Sequence, residues 1–240
     1  MKFLSLDSPF INFMSRVADL MILNIITLVL CIPFVTAGAA FAALHYMSLK
    51  IIRNEETYIV RGYFKAFKEN FKQATIVWLI ILLAVFILIT DFIIILQSGM
   101  EFYPWLKFVL LAVSVLVVFM AVMVFPVMAK FSNTTFQTMK NALGIAVLQF
   151  PKTIVMIIAY LIPLVALYYN FEIFPFVLMF GISVPAMVSA GLYNKFFKKL
   201  ETRILEAQEE AGVVPEEEED DGVEKIFSDT LDESLIDKNM

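Results

Sequence analysis

The sequence predicts an all-α fold: a polytopic membrane helical bundle with five transmembrane helices. Its 240 residues are 60% hydrophobic and only 17% charged, whereas soluble domains average about 45–50% apolar and about 25% charged residues. A soluble core of this length could not bury so much apolar surface, because the exterior of a globule needs polar cover. Five apolar stretches, each near the length that crosses roughly 30 Å of hydrocarbon, complete the prediction.

The chain divides into three regions by composition. Residues 1–19 are predicted to form an interfacial amphipathic helix, since Ser8 can cap it and Pro9 suits its first position. Residues 20–200 form the membrane domain, with spans at about 20–43, 73–96, 105–129, 153–169 and 173–193. Residues 201–240 hold 15 Asp and Glu but 3 Lys and Arg, which predicts an acidic, largely disordered cytoplasmic tail.

Basic residues set the predicted orientation through the positive-inside rule. The connections 44–72 and 130–152 and the segment after residue 193 carry clustered Lys and Arg, whereas the connections 97–104 and 170–174 carry none. The basic connections are therefore predicted to be cytoplasmic. With five spans, this places the C-terminus in the cytoplasm and the N-terminus outside.

The first span is less regular than the others. The segment 37–39 (Ala-Gly-Ala) follows an apolar run, as at a signal-peptide cleavage site, but that run begins only at Leu20 and contains Pro33. An internal repeat favours an uncleaved span, because Pro33, Pro126 and Pro185 each lie in an apolar helix before small residues and an aromatic, basic exit. All three prolines lie on spans predicted to run from outside to inside.

The connection 44–72 contains a predicted amphipathic helix with two stripes. Basic side chains recur every three or four residues along one stripe, and aromatic side chains form the second stripe beside it. The seven residues are Arg61, Phe64, Lys65, Phe67, Lys68, Phe71 and Lys72. Such a helix can lie on anionic lipid, pack on the spans or dock on a partner protein. Lipid or intramolecular packing is favoured over a partner site.

Residues able to carry chemistry are few within the spans. Asp91 in the second span and Lys107 in the third are predicted to lie at similar depth near the outer interface. Lys107 can either snorkel outward or form an intramembrane polar pair with Asp91. Cys31 and His45 are the only residues of their types, which excludes an internal disulfide and a zinc cluster. No catalytic, cofactor-binding or metal-binding residues are predicted, no cofactor is expected, and no feature indicates binding of nucleic acid. The chain is therefore expected not to be an enzyme.

Three segments carry a family resemblance. They are residues 24–80, residues 140–158 (KNALGIAVLQFPKTIVMII) and residues 181–197 (GISVPAMVSAGLYNKFF), and the turn at 53–56 (RNEE) with the following Phe/Lys helix is the most specific part. They resemble the YesL-like family of uncharacterised bacterial membrane proteins, over about residues 1–200. The resemblance implies a multi-pass protein of the bacterial cytoplasmic membrane. Genes of that family often lie among carbohydrate-uptake and polysaccharide-degradation genes, so it also implies a carbohydrate-utilisation setting, but it supplies no site residues.

The expected function is that of a non-enzymatic accessory or regulatory partner of carbohydrate uptake, with membrane lipids and carbohydrate ABC-type transporter subunits as partners. The alternative is a small oligomeric transporter or channel, because proline-broken spans often line transport sites. A membrane enzyme using Asp91 or His45 is a third hypothesis. The acidic tail is expected to be solvated or to loop back to the basic connections, with a docking peptide as the alternative.

Overall fold

The computed structural model describes residues 9–55, 58–97, 104–210 and 226–227. The helices are α1 Pro9–Cys31, α2 Ala37–Arg53, α3 Ile59–Gln97, α4 Pro104–Lys130, α5 Thr135–Leu148, α6 Phe150–Tyr169, α7 Phe174–Phe180 and α8 Ser183–Glu210. A short 3-10 helix, Phe171–Ile173, precedes α7, and two strands, β1 Phe131–Ser132 and β2 Ile226–Phe227, pair in parallel. The predicted Ser8 cap, the outer connection at 98–103 and most of the acidic tail lie outside the described residues.

Several helices have the length and composition of membrane spans. Four qualify alone: Phe13–Cys31, Ile59–Gln97, Trp105–Lys130 and Phe150–Tyr169. A fifth is possible if the pair Phe171–Phe180 and Ser183–Ala207, bent by 53°, counts as one broken span. Within the described residues, the predicted all-α fold is therefore confirmed, with four or five candidate spans.

The segment 20–43, predicted as one span, is divided between α1 and α2. α1 is continuous from Pro9 to Cys31, so the described part of the predicted interfacial helix is not a separate element. The helix ends there because Pro33 lacks an N–H group and Phe34 adopts a left-handed φ of 42°. Trp78 Nε1 donates a hydrogen bond of 2.9 Å to the Phe34 carbonyl, which satisfies a backbone group that the break frees.

α2 is the most buried helix of the membrane domain. It was predicted to be divided between the first span and the connection 44–72, but it is one helix in which 13 of 17 residues are buried. It packs against α1, α3, α4 and α8. Its small residues allow this close packing. A Cβ atom on Gly38 would lie 2.5 Å from the Ala74 carbonyl oxygen and 2.6 Å from Trp78 Cβ. The rest of the predicted connection is also mostly helical, since α3 begins at Ile59 and runs unbroken through the second span.

α1 and α2 run antiparallel to each other. Arg16, in the first half of α1, donates hydrogen bonds to the Ile51 carbonyl at 3.4 Å and to Asn54 Oδ1, just past the end of α2. At the other end, Thr36 Oγ1 donates to the Leu30 carbonyl. The first half of α1 and the end of α2 therefore lie at the same end of the bundle.

The three prolines of the predicted repeat occupy different structural positions. Pro33 lies in the break between α1 and α2, Pro126 lies inside α4, and Pro185 lies in the first turn of α8. A further proline, Pro163, lies inside the continuous helix α6. The predicted fifth span, 173–193, is divided between α7 and α8.

The strand pair brings a piece of the tail back to the connection 130–152. Phe131 pairs with Ile226, and Ser132 pairs with Phe227. The Phe131 side chain is 1% exposed and packs edge-on against Phe197 of α8, with ring centroids 5.2 Å apart. β1 is therefore attached to the helix bundle through its own side chain.

Candidate functional site

A charged cluster of Arg53, Lys130, Asn194 and Glu201 joins three helices at one end of the bundle. The Arg53 guanidinium donates to Glu201 Oε1 at 2.6 Å and to Oε2 at 3.0 Å, and its Nε donates to Asn194 Oδ1 at 2.9 Å. Lys130 Nζ lies 3.9 Å from Glu201 Oε2. The side chains of Arg53, Lys130 and Glu201 are 7%, 10% and 13% exposed. The bidentate Arg53–Glu201 pair, the strong form of an arginine–carboxylate contact, links α2 to α8. The Lys130–Glu201 pair links α4 to the same carboxylate.

Further polar groups surround the charged cluster. Lys50 Nζ lies 4.0 Å from Glu55 Oε2 and 5.3 Å from the centre of the Tyr46 ring. Asn54, with a left-handed φ of 57°, ends α2 and receives the Arg16 hydrogen bond. A cavity of about 10 Å³, the size that holds one water molecule, is lined by Tyr46, Leu49, Lys50, Arg53, Glu55 and Lys130. This end of the bundle is thus both polar and closely packed.

A second polar group lies buried between α2, α6 and α8. His45 Nε2 is 3.0 Å from Tyr160 Oη, and His45 Nδ1 is 3.4 Å from Tyr193 Oη. His45 is 3% exposed and Tyr193 is 2% exposed. A neutral imidazole has one donor and one acceptor nitrogen, so one tyrosine donates to the ring and the other accepts from it. The arrangement satisfies a buried imidazole and links three helices.

Asn24 of α1 closes the break between α7 and α8. Its Oδ1 accepts hydrogen bonds of 2.8 Å from the backbone N–H groups of Ile182 and Ser183, and its Nδ2 donates to the Leu178 carbonyl at 2.7 Å. Asn24 is fully buried. A broken helix exposes N–H groups that can bind an anion, but here a side chain of the protein already occupies two of them.

An apolar groove lies beside the same break. Its volume is about 310 Å³, and its walls are Ala159, Ile162, Pro163, Phe176, Val177, Phe180, Gly181, Val184, Pro185 and Val188. Apolar walls of this kind suit an alkyl chain rather than a charged solute. In a membrane, this groove would be open to lipid acyl chains.

The predicted amphipathic helix at 61–72 forms the first part of α3. The exposed residues of its two stripes are Arg61, Phe64, Lys68, Phe71 and Lys72, while Phe67 packs against both hydrophobic clusters of the core and Lys65 is half-buried. The face of α3 that is buried carries instead Tyr63, Ala66 and Asn70. Phe64 and Phe71 remain available to lipid or a partner, each with 40% exposure.

Among the described residues, the structure does not bring Asp91 and Lys107 within ion-pair distance of each other. Lys107 lies on an exposed side of α4, whereas Asp91 is half-buried on α3. Similar depth does not make two side chains face each other, because each residue turns a helix by about 100°. In the described part of the chain, no group of three or more His, Cys, Asp or Glu residues could hold a metal ion.

Sequence reasoning missed the residues that make up the charged cluster as a set. Arg53 and Glu201 are 148 positions apart, and no periodicity relates two residues at such a distance. The residue counts did place Arg53 and Lys130 in basic connections. They did not indicate that α2, α4 and α8 would meet at one carboxylate.

One comparison with known proteins finds a family model that matches part of the chain. Residues 20–92 match the family described as "Protein of unknown function, DUF624". This segment covers most of α1, all of α2 and most of α3, and therefore includes Asn24, His45 and Arg53. No curated protein and no solved structure matches the chain. The chain is thus similar, over the helices that form its buried centre, to a family whose function is not established.

Proposed function

We propose that this chain is a non-enzymatic protein of the bacterial cytoplasmic membrane that acts as an accessory or regulatory component of a carbohydrate ABC-type uptake system. The observation that carries the proposal is the charged end of the bundle. There Arg53, Lys130 and Glu201 hold three helices together. Exposed basic and aromatic side chains lie on the first part of α3, which begins six positions past the end of α2. A rigid scaffold with exposed aromatic and basic side chains is suited to binding another protein.

The family resemblance supports the carbohydrate setting. The matched family covers residues 20–92, and we identify it with the YesL-like family because the R-N-E-E turn and the Phe/Lys helix lie within this range. On this proposal the partner surface includes Arg61, Phe64, Lys68, Phe71 and Lys72. The same residues would contact anionic lipid headgroups where no partner covers them.

We propose that the N-terminus lies on the cytoplasmic side, and the antiparallel contact of α1 and α2 supports this orientation. The sequence predicted an external N-terminus, on the premise that residues 20–43 cross the membrane once. The contact of Arg16 with Asn54 supports instead an N-terminus on the same side as the charged end. The basic connections keep their predicted cytoplasmic side, since α2 returns the chain to it. In a Cys31→Ala background, the variant Ser15→Cys should then react with a membrane-impermeant maleimide only in inverted vesicles. Labelling of intact cells that carry this variant would refute the orientation.

Affinity purification from native membranes in mild detergent tests the accessory role. Permease or ATPase subunits should be recovered in near-equal amount with the wild-type chain. The variant Arg61→Glu/Lys68→Glu/Lys72→Glu should lose them, because it reverses the charge of the exposed stripe. The matched control Lys152→Glu changes a basic residue of another cytoplasmic connection and should retain them. Absence of transporter subunits from the wild-type preparation would refute the proposal.

A small oligomeric transporter or channel is the second candidate, favoured by the two helix breaks after Cys31 and after Phe180. Broken helices in transporters offer free backbone groups to a substrate. The Asn24 amide already occupies such groups at the α7–α8 break, and this occupancy makes transport the less favoured candidate. Flux of sugars or ions into liposomes that contain only this protein would reverse the preference.

A further inference from the structure

We propose that the β1 edge and the basic residues around it form a docking site for the chain's own acidic tail, with Ile226 and Phe227 as the anchor. This inference goes beyond the accessory role and does not depend on any transporter partner. It extends the observed strand pairing of Phe131 with Ile226 and of Ser132 with Phe227 to the charged residues on both sides of the anchor.

The β1 edge is held in place by contacts on both of its sides. Phe131 is buried against Phe197 of α8, and the residue before it, Lys130, is paired with Glu201. On the other side, Gln73 Nε2 of α3 donates a hydrogen bond of 2.7 Å to the Asn133 carbonyl. An edge that is already fixed loses little conformational freedom when a strand adds to it through main-chain hydrogen bonds.

Charge complementarity favours an acidic segment as the occupant. Three of the helices around β1 carry an exposed lysine: Lys72 precedes Gln73 on α3, Lys140 lies on α5, and Lys198 follows Phe197 on α8. The tail brings six consecutive acids at 216–221, and more acids on both sides of the anchor at 224, 229, 232 and 233. Charges of opposite sign attract over a screening length of about 8 Å at physiological salt.

The length of the tail suits a site on the same chain. Glu210 ends α8, 13 residues past Phe197, so the helix carries the chain about 20 Å beyond the level of β1. Glu210 and Ile226 are 16 steps apart in the sequence. Any random-coil chain of that length has an r.m.s. reach of about 20–24 Å. Effective concentration is highest when the reach of a linker matches the span. The tail of the same chain is therefore favoured over the tail of a second copy.

Neither the strand pairing nor the attraction between charges is sufficient by itself to hold the tail. Two paired residues per strand are fewer than a stable isolated strand pair requires, and exposed charges alone are weakened by salt. Docking should therefore be reversible and should depend on both the anchor and the acidic run. The tail would cover the β1 edge in dilute salt and release it when the acidic run is neutralised.

Cysteine cross-linking of the full-length protein in mild detergent tests this inference. The first variant carries Asn133→Cys and Ser228→Cys in a Cys31→Ala background. If the parallel pairing continues by one residue, these two positions are the next pair in the register. The matched control, Thr202→Cys with Ser228→Cys, uses an exposed residue of α8 at the same end of the bundle. Mild oxidation should give an intramolecular cross-link in the first variant at about fivefold higher yield than in the control, since a docked strand has one register.

Two perturbations distinguish a docked tail from random collisions between the two cysteines. Replacing Glu216 to Glu219 by Gln and Asp220 and Asp221 by Asn should lower the yield about fivefold, as should 1 M salt, where the screening length is about 3 Å. Equal yields in the two cysteine pairs, or a yield that neither perturbation changes, would overturn the inference. Cross-links found only between two chains would also overturn it, because the occupant would then be a second copy.

Discussion

Replacing Glu201 with Gln provides the sharpest test of the charged cluster. Glu201 is the acidic partner of both Arg53 and Lys130, so the change leaves two nearly buried cations without a counter-charge. Removing one partner of a buried ion pair costs about 3–5 kcal/mol. The Glu201 side chain keeps 13% exposure, and water can therefore offset part of the loss. We expect a decrease in unfolding free energy of about 3 kcal/mol, at the lower end of that range.

Thermal unfolding in mild detergent at low salt measures this loss. For a chain of this length, each kcal/mol shifts the midpoint by about 2–4 °C, so Glu201→Gln should lower Tm by about 6–12 °C. Glu206→Gln is the matched control, because Glu206 is exposed on the same helix. Surface changes of this kind stay within about 0.5 kcal/mol. The double variant Arg53→Met/Glu201→Met should recover part of the loss, since an apolar pair often replaces a buried ion pair well. Equal midpoints for Glu201→Gln and Glu206→Gln would refute the reasoning.

Three further predictions use the same unfolding measurement. Asn24→Ala should cost about 3 kcal/mol, because it leaves two buried N–H groups without an acceptor, and a change within error would show that water replaces the amide. Gly38→Ala should lower the unfolding free energy by about 1–3 kcal/mol through overpacking. Gly144→Ala, whose new Cβ meets nothing within 4 Å, should raise it by about 0.5–1 kcal/mol. A change of the same sign in both variants would contradict the packing around Gly38. Tyr160→Phe should cost about 1 kcal/mol by removing the hydroxyl that faces His45, and a neutral result would mean that this contact is not made.

Hydropathy predicted the parts of the fold that depend on local composition. The predicted third span, 105–129, lies within α4, and the predicted fourth span, 153–169, lies within α6. A run of apolar residues has to be helical in lipid, because every backbone group must be satisfied internally. The break at Pro33 could not be predicted in the same way. Prolines inside α4 and α6 do not end those helices. The break after Cys31 is stabilised in part by Trp78, which bonds the carbonyl of Phe34 from 44 positions away.

Side-chain direction accounts for the rest of what sequence reasoning missed. Aromatic and basic stripes on 61–72 were correctly placed on one helix, but the face that packs inward carries Ala66 and Asn70 beside Tyr63. Small residues pack well against α2 because they allow the helix axes to approach closely. A hydrophobicity pattern does not identify such small residues as the buried face of a helix. The orientation of a helix around its own axis is set by such contacts with its neighbours, which a single sequence does not specify.

Polar residues of the family-matched segment find their hydrogen-bond partners in other parts of the chain. Residues 20–92 contain Arg53, but its partners Asn194 and Glu201 lie on α8. They also contain Asn24 and His45, whose hydrogen-bond partners lie on α6, α7 and α8. Expressed alone, the segment would lose the hydrogen-bond partners of its Arg53 guanidinium and its Asn24 amide together with the helices that bury these groups. The buried polar residues of the matched segment therefore require the C-terminal helices, and the charged end exists only when both parts of the chain are folded together.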